Sequence, residues 1–236
     1  VGSLPFAHYL AMVRGGWRSL LNDPQVRWFL ILAVGLVLLL IWHLMQTGLG
    51  FGEAVRQASF NGVSIMTGTG YVSANFSAWG GFATTILLIV MFIGGCGGST
   101  TCGIKVFRLQ VLASTAKVQI SRLLRPHAVV LAYYNKRPVS VEVMDSVMGF
   151  FYLFILGFVL IAIMLGMAGL DFVTALSGAA TSISNVGPGL GEVIGADGNF
   201  STLPDSAKWI MSFAMLLGRL EIFTVLVMLN PAFWQR

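Results

Sequence analysis

Two short turns carry the residues whose types and spacing could do chemistry. Thr67-Gly68-Thr69-Gly70-Tyr71 and Ser184-Asn185-Val186-Gly187-Pro188 each follow a short semi-polar segment and precede an apolar one. A shift of 117 residues carries Ala58 onto Ala175, Ser64 onto Thr181 and Gly70 onto Gly187 without a gap. After seven inserted residues the match resumes, with Asn75-Phe76-Ser77 on Asn199-Phe200-Ser201, Met91 on Met215 and Gly94 on Gly218. Glycine beside Thr or Val lets successive carbonyls face one axis, because glycine takes the positive φ that branched residues resist. A ring of such carbonyls can replace the hydration shell of a monovalent cation and still release it. Neither turn holds a carboxylate, which disfavours a divalent site. The candidate ligands are the backbone carbonyls of Thr67, Gly68 and Thr69 and of Ser184, Asn185 and Val186, with Gly70 and Gly187 setting the turns.

The elements that must position these turns follow from length and pattern. Val26 to Gln46 is a largely uncharged apolar run that, at about 1.5 Å per residue, covers the ~30 Å hydrocarbon. Glu53 to Met66 is too short and too mixed to span, and reads as a half-membrane pore helix ending at the first turn. Phe82 to Ile93 is apolar but reaches only part of the way across. In the second block, Val143 to Gly169 is the spanning helix, Asp171 stands at a helix N-cap, and Phe172 to Ile183 make the second pore helix. Ala207 to Leu229 reads as the last span, stopped by Pro231. A pore helix ending near the membrane centre directs its carbonyl dipole inward, which favours a cation without any fixed charge.

Below the first block lies Gly94-Gly95-Cys96-Gly97-Gly98-Ser99-Thr100-Thr101-Cys102-Gly103, five glycines in ten positions. Glycine costs a helix about 1 kcal/mol per residue, so an irregular loop is expected, with Ser99, Thr100 and Thr101 supplying hydroxyls to the freed backbone. A cluster of small residues for close helix packing is the blander reading. Arg219 is a lone charge within an apolar segment, and burying it in lipid would cost about 2.5 to 3.5 kcal/mol. It must face protein or water, and the repeat aligns it with Gly95. A positive charge in the ion path, beside a movable loop of Gly94, Gly95, Gly97, Gly98 and Gly103, would make a gate. Glu221 is near in sequence, yet residues two apart face different sides of a helix.

Composition sets the solvent: 56% hydrophobic and 10% charged residues, with a mean hydropathy of +0.84, mark an integral membrane protein. Cys96 and Cys102 fit neither a disulfide framework nor a metal site. The net charge of +5 reflects topology rather than nucleic acid, because eleven of the fourteen Lys and Arg lie in residues 1–27, 105–142 and 230–236. The positive-inside rule then places these segments in the cytoplasm, both turns outside and both termini inside. The units expected are a cytoplasmic or interfacial lead-in, 1–25, a first block, 26–117, a cytoplasmic connection, 118–142, and a second block, 143–236. His43, near the outer end of the first span, reads as an interfacial ring. The chain opens without Met inside a basic, Gly-containing segment, and it reads as a fragment of a longer polypeptide.

The motifs Thr-Gly-Thr-Gly-Tyr, Gly-Gly-Cys-Gly-Gly-Ser-Thr-Thr-Cys-Gly-Ile-Lys, Ser-Asn-Val-Gly-Pro-Gly and Leu-Gly-Arg-Leu-Glu-Ile-Phe-Thr resemble the TrkH potassium-uptake proteins of bacteria. These sit in the superfamily of Trk, Ktr and plant HKT transporters. The resemblance runs over nearly the whole chain and implies an all-α integral membrane fold, in which two repeats of M1, pore helix and M2 form half of a four-repeat pore. It implies potassium uptake across the bacterial inner membrane, with K⁺ held by the carbonyls of Gly68, Thr69, Asn185 and Val186. It assigns the selectivity filter to Thr67–Gly70 and Ser184–Gly187, and the gate to the Gly94–Gly103 loop and Arg219. It further implies a homodimer in membrane lipid, an N-terminal half carrying the other two repeats, and a cytosolic TrkA-type ring that alone would bind nucleotide. No organic cofactor and no nucleic acid are expected of this chain. Cys102 stands where many relatives have Gly, which bears on the loop's flexibility.

Permeation of Na⁺ or NH₄⁺ through the same architecture is the alternative within transport, and sequence does not separate passive from coupled flux. A membrane enzyme with catalytic re-entrant loops is the alternative from another class. It lacks a nucleophile and base, since His8 and His127 lie in cytoplasmic segments and no Asp or Glu adjoins a turn. A scaffold subunit would leave the duplicated turns without purpose.

Overall fold

The computed structural model describes every residue except 1, 14–19, 21, 126–129, 136, 221–223, 225, 226, 229, 230, 235 and 236. Expectations resting on Arg14, Arg18, His127, Lys136, Glu221 and Leu229 lie outside the described residues. A short helix, α1 (Phe6–Val13), leads to α2 (Pro24–Gln46). Asp23 is the N-cap of α2, its Oδ1 accepting the Gln25 N–H at 2.7 Å, with Pro24 at the first helical position where no N–H is needed. The Asn22-Asp23-Pro24 sequence therefore opens the spanning helix.

The first block continues with α3 (Phe51–Met66), a 3₁₀ turn at Phe76–Trp79, α4 (Gly81–Phe92) and, beyond an irregular stretch, α5 (Val106–Leu124). The connection holds a two-residue antiparallel pair, β1 (Tyr133–Tyr134) and β2 (Arg137–Pro138). The second block comprises α6 (Val141–Met167), α7 (Phe172–Ser184), a single turn α8 (Gly191–Ile194), a 3₁₀ turn at Phe200–Thr202 and α9 (Asp205–Arg219). A last turn, α10, covers Pro231–Trp234.

The 23 residues of α2 and the 27 of α6 reach ~35 and ~40 Å, enough to cross a bilayer. Only 22% of the most apolar window of each is buried within the chain, so they are not core helices of a water-soluble protein. The 16 residues of α3 and 13 of α7 reach about 24 and 20 Å and stop part-way. In each block the half-helix packs along its spanning helix, α3 on α2 and α7 on α6, while α7 also packs on α9 and α4. That last contact joins the blocks: Ala180, Val186 and Leu190 belong to the apolar cluster of Leu40, Leu87 and Met91.

The helix after the glycine stretch begins at Val106, because Ile104 pairs with Ile93 in an isolated bridge, and it runs to Leu124, past residue 117. One expectation is revised. The last span is not continuous from Ala207 to Leu229: α9 ends at Arg219, with Leu220 as C-cap. Gly218 stands in its last turn, at the position Gly94 holds under the repeat, and the break is the counterpart of the end of α4 in the first block.

Candidate functional site

Both pore helices end at their glycine turns, and the two turns are built by the same bonds. Gly68 N–H donates to the Ile65 carbonyl at 3.1 Å and Thr69 N–H to Ser64 at 3.0 Å. At the positions 117 residues on, Asn185 N–H donates to Ser182 at 3.2 Å and Val186 N–H to Thr181 at 3.0 Å. Gly68 and Asn185 both take left-handed backbone, φ 63° and 53°, a conformation that glycine and asparagine adopt most readily. Hydroxyls then fix the next turn of chain: Ser64 Oγ donates to the Tyr71 carbonyl at 2.7 Å, and Thr181 Oγ1 accepts from Gly187 N–H at 3.0 Å.

The turns meet. A Cβ on Gly70 would lie 2.5 Å from the Val186 carbonyl oxygen and 3.5 Å from the Gly187 Cα, and one on Gly68 would lie 3.6 Å from the Asn185 carbonyl oxygen. Among the described residues, no donor satisfies the carbonyls of Thr67–Gly70 or of Ser184–Gly187. The Thr67 hydroxyl donates to Val63 at 2.8 Å and pairs with Thr69 Oγ1 at 2.7 Å, whereas the buried Ser182 and Ser184 hydroxyls have no partner among the described residues. Unpaired carbonyls at the ends of two helix dipoles form a site that attracts a cation and repels an anion. Among the described residues no group of three His, Cys, Asp or Glu could hold a metal.

Beneath the turns the Gly94–Gly103 stretch is non-helical. It is pinned at its base: Gly94 N–H donates to Ile104 at 2.9 Å, Ile104 N–H to Phe92 at 2.9 Å and Val106 N–H to Gly95 at 3.0 Å. What leaves the helix axis is a closed loop whose apex carries Ser99, Thr100 and Thr101. Arg219, at the end of α9, donates from Nη1 to the Thr100 carbonyl at 2.8 Å and approaches Cys102 Sγ at 3.5 Å. A cavity of about 300 Å³ is lined by Thr67, Gly68, Thr69 and Asn185 from the turns, by Thr100, Thr101 and Cys102 from the loop, by Gly2 and by Arg219. Turn, loop and arginine therefore share one space. Gly218 brings α9 against the second turn so closely that a Cβ there would stand 1.9 Å from the Ile183 carbonyl oxygen.

A family model described as a cation transport protein, TrkH, matches residues 12–236. The chain belongs to the TrkH family. It is 45% identical over 236 residues to the Trk system potassium uptake protein TrkI of Halomonas elongata, all of this chain and 48% of that one. It is 38% identical over 238 residues to TrkH of Vibrio parahaemolyticus, 97% of this chain and 47% of that one. The crystal structure of the potassium transporter TrkH from Vibrio parahaemolyticus superposes with a TM-score of 0.91 at 35% identity, over 99% of this chain and 50% of that one. The chain thus spans about half the length of the curated relatives it matches. Its all-α membrane fold of M1, pore helix and M2 repeats is that of the TrkH structure, and the enzyme reading is set aside, because the family is one of transporters.

Three contributors escaped the sequence reading. The Asn185 side chain donates from Nδ2 to the Met215 carbonyl at 3.0 Å, tying the second turn to α9; its alignment with a left-handed glycine was the available signal. Ser3, 1% exposed, lies under the loop, its carbonyl accepting from Cys96 N–H at 2.8 Å. Gln25 accepts from Gly97 N–H at 2.8 Å. No local pattern marks the last two, which act across the fold. His43, read as an interfacial ring, donates from Nε2 to the Trp79 carbonyl at 2.7 Å and so secures the 3₁₀ turn outside the first turn.

Proposed function

We propose that this chain supplies two of the four repeats of a pore for potassium uptake across the bacterial inner membrane. Thr67–Gly70 and Ser184–Gly187 contribute half of the selectivity filter, with K⁺ as cargo on the carbonyls of Gly68, Thr69, Asn185 and Val186. The observation that carries this is the meeting of two turns closed by the same pair of backbone bonds, at Gly70 and Gly187, above a cavity crossed by the glycine loop and Arg219. The potassium-uptake names of the relatives support the choice of ion.

In this reading the Gly94–Gly103 loop and Arg219 are the gate. A monovalent cation 4 Å from a fixed positive charge is raised by about 4 kcal/mol at an effective dielectric of 20, so the guanidinium opposes passage until the loop carries it aside. Residues 26–117 form the third repeat and 143–236 the fourth, with 1–25 and 118–142 on the cytoplasmic side. The complete transporter is a homodimer in lipid that carries the first two repeats in its remaining length and is controlled by a cytosolic nucleotide-binding ring of the TrkA type.

The test is Rb⁺ and Na⁺ uptake by vesicles containing the full-length transporter, with and without Arg219→Ala. Saturable Rb⁺ uptake that exceeds Na⁺ uptake, and rises in the variant, is expected. Equal Rb⁺ and Na⁺ rates would overturn the ion assignment, and an unchanged rate in Arg219→Ala would overturn the role of the arginine.

A further inference from the structure

Three sets of contacts hold the glycine loop from outside. Arg219 reaches Thr100 and Cys102 and Gln25 reaches Gly97, but the most extended set belongs to residues 2–6, which run beneath the loop. Cys96 N–H donates to the Ser3 carbonyl at 2.8 Å, and Phe6 N–H donates to the Gly98 carbonyl at 3.2 Å. The Thr100 hydroxyl donates to the Gly2 carbonyl at 3.2 Å. The Thr101 hydroxyl donates to Ser3 Oγ at 3.1 Å and lies 3.4 Å from the Gly2 carbonyl oxygen. This seam binds the loop at Cys96, Gly98, Thr100 and Thr101, from its base to its apex.

The fit follows from the residues on both sides. Gly95 has no side chain to hold the segment off: a Cβ there would fall 2.7 Å from the Ser3 carbonyl oxygen and 2.9 Å from the Ser3 Cα. The repeat aligns Gly95 with Arg219, so where the second block projects a guanidinium the first admits another length of backbone. Phe6 is the first residue of α1, its N–H has no acceptor within the helix, and Gly98 supplies one. Ser3 is 1% exposed, so its polar groups depend on protein partners. His8 Nε2, in α1, donates to Asp23 Oδ2 at 2.8 Å, which anchors the segment to the start of α2. Thr100 is where seam and arginine meet: its carbonyl accepts from Arg219 Nη1 at 2.8 Å, while its hydroxyl is spent on Gly2. Gly2, Thr100, Thr101 and Arg219 all line the cavity below the turns.

We propose that residues 2–6 latch the intramembrane loop, with Ser3 and Thr101 as positioning residues whose paired hydroxyls keep the Thr100 carbonyl, and with it Arg219, in the ion path. This rests on the loop and Arg219 being the gate. Opening parts the seam, so a bond removed there weakens the closed arrangement alone and shifts the population toward the open one. The Thr101 hydroxyl bonds to the segment and to neither turn, so it sets how often the path opens and not which ion the turns select. Gln25 and Arg219 hold the loop beside the seam, and the loss of one hydroxyl pair therefore loosens the loop without releasing it.

The experiment compares Thr101→Val, Thr101→Ser, Ser3→Ala, the Ser3→Ala/Thr101→Val pair and Arg219→Ala in the full-length transporter at matched membrane abundance. It reads Rb⁺ and Na⁺ uptake and hydrogen exchange of the peptide covering residues 94–103. Thr101→Val keeps the shape of the side chain and removes its hydroxyl. Losing that bond predicts a maximal Rb⁺ rate about three- to tenfold higher, with faster exchange of the loop and with half-saturation and Rb⁺ over Na⁺ preference retained. Thr101→Ser keeps the hydroxyl, and its loop exchanges as slowly as the parent's. Ser3→Ala raises the rate less, because the Gly2 carbonyl remains for the Thr101 hydroxyl, and the pair rises no further than Thr101→Val alone. Parent-like rate and exchange in Thr101→Val, fast exchange in Thr101→Ser, additive effects in the pair or a changed ion preference would each overturn the latch. Arg219→Ala judges the gate reading separately. A raised rate there with an inert Thr101→Val rejects the latch alone; an unchanged rate there with faster loop exchange in Thr101→Val rejects the gate, while the hold of the segment on the loop stands. If Thr101→Val does not reach the membrane, Ser3→Ala decides by the same two readouts.

Discussion

At Gly70 the geometry leaves no room for any other residue. Its φ of 76° costs an L side chain about 1–2 kcal/mol, and an added Cβ would fall 2.5 Å from the Val186 carbonyl oxygen and 3.2 Å from Pro188 Cδ. Gly187 has φ 119°, but its nearest neighbour is the Gly70 Cα at 3.5 Å, so a methyl there is strained without colliding. Gly70→Ala is expected to abolish selective Rb⁺ uptake, whereas Gly187→Ala retains reduced uptake; equal effects in a flux assay would refute this ordering. Both glycines were legible in the sequence, because the repeat set them in register. The contact between them was not, since a 117-residue offset fixes correspondence and says nothing of distance. Asn185 was legible only as a backbone carbonyl, because a side-chain bond to Met215 depends on where α9 passes.

Among the elements, α7 shows how a half-helix is held at its N-terminal end. Asp171 accepts from Thr174 N–H at 3.1 Å, and hydrogen bonds from the Thr174 side chain and backbone hold its carboxyl below the usual range. A lowered folded-state pKa contributes stability above the unfolded value of about 3.9, and this is lost as pH falls through the folded value. Asp171→Ala should therefore lower the stability of the solubilised transporter at pH 7 by about 1 kcal/mol. The gap in melting temperature between the two proteins should close in acid, below about pH 4; a gap that persists there would rule out the carboxylate as its source. This cap was legible, because Asp before an apolar run is a local signal. The stop of α9 at Arg219 was not: Leu220 gives no local signal, and hydropathy carries the expected helix on to Leu229. The glycine loop lies between these cases, since composition foretold its irregularity while the Ile93–Ile104 bridge that closes it joins residues eleven apart.

For the whole molecule, the decisive feature is the face that the chain leaves open. Two turns enclose only part of a ring: beside the first, Tyr71 is 71% and Phe60 47% exposed, along a groove of about 500 Å³ that also includes Val63 and Thr67. In the proposed pore, apolar side chains next to the ion cannot face lipid on one side and a hydrated ion on the other without protein between them. In each block the pore helix leans on its own spanning helix, and α7 gains a second wall in α4 of the block before it; α3 has no preceding block in this chain. Residues 1–236 expressed alone in vesicles are accordingly expected to insert, through α2 and α6, yet to show no Rb⁺ preference over Na⁺. Co-expression with the remaining part of the full-length polypeptide should restore both uptake and preference. Selective, saturable Rb⁺ uptake by the 236-residue chain alone would mean that two turns suffice, through pairing of copies of this chain, and the four-repeat pore would have to be abandoned for it.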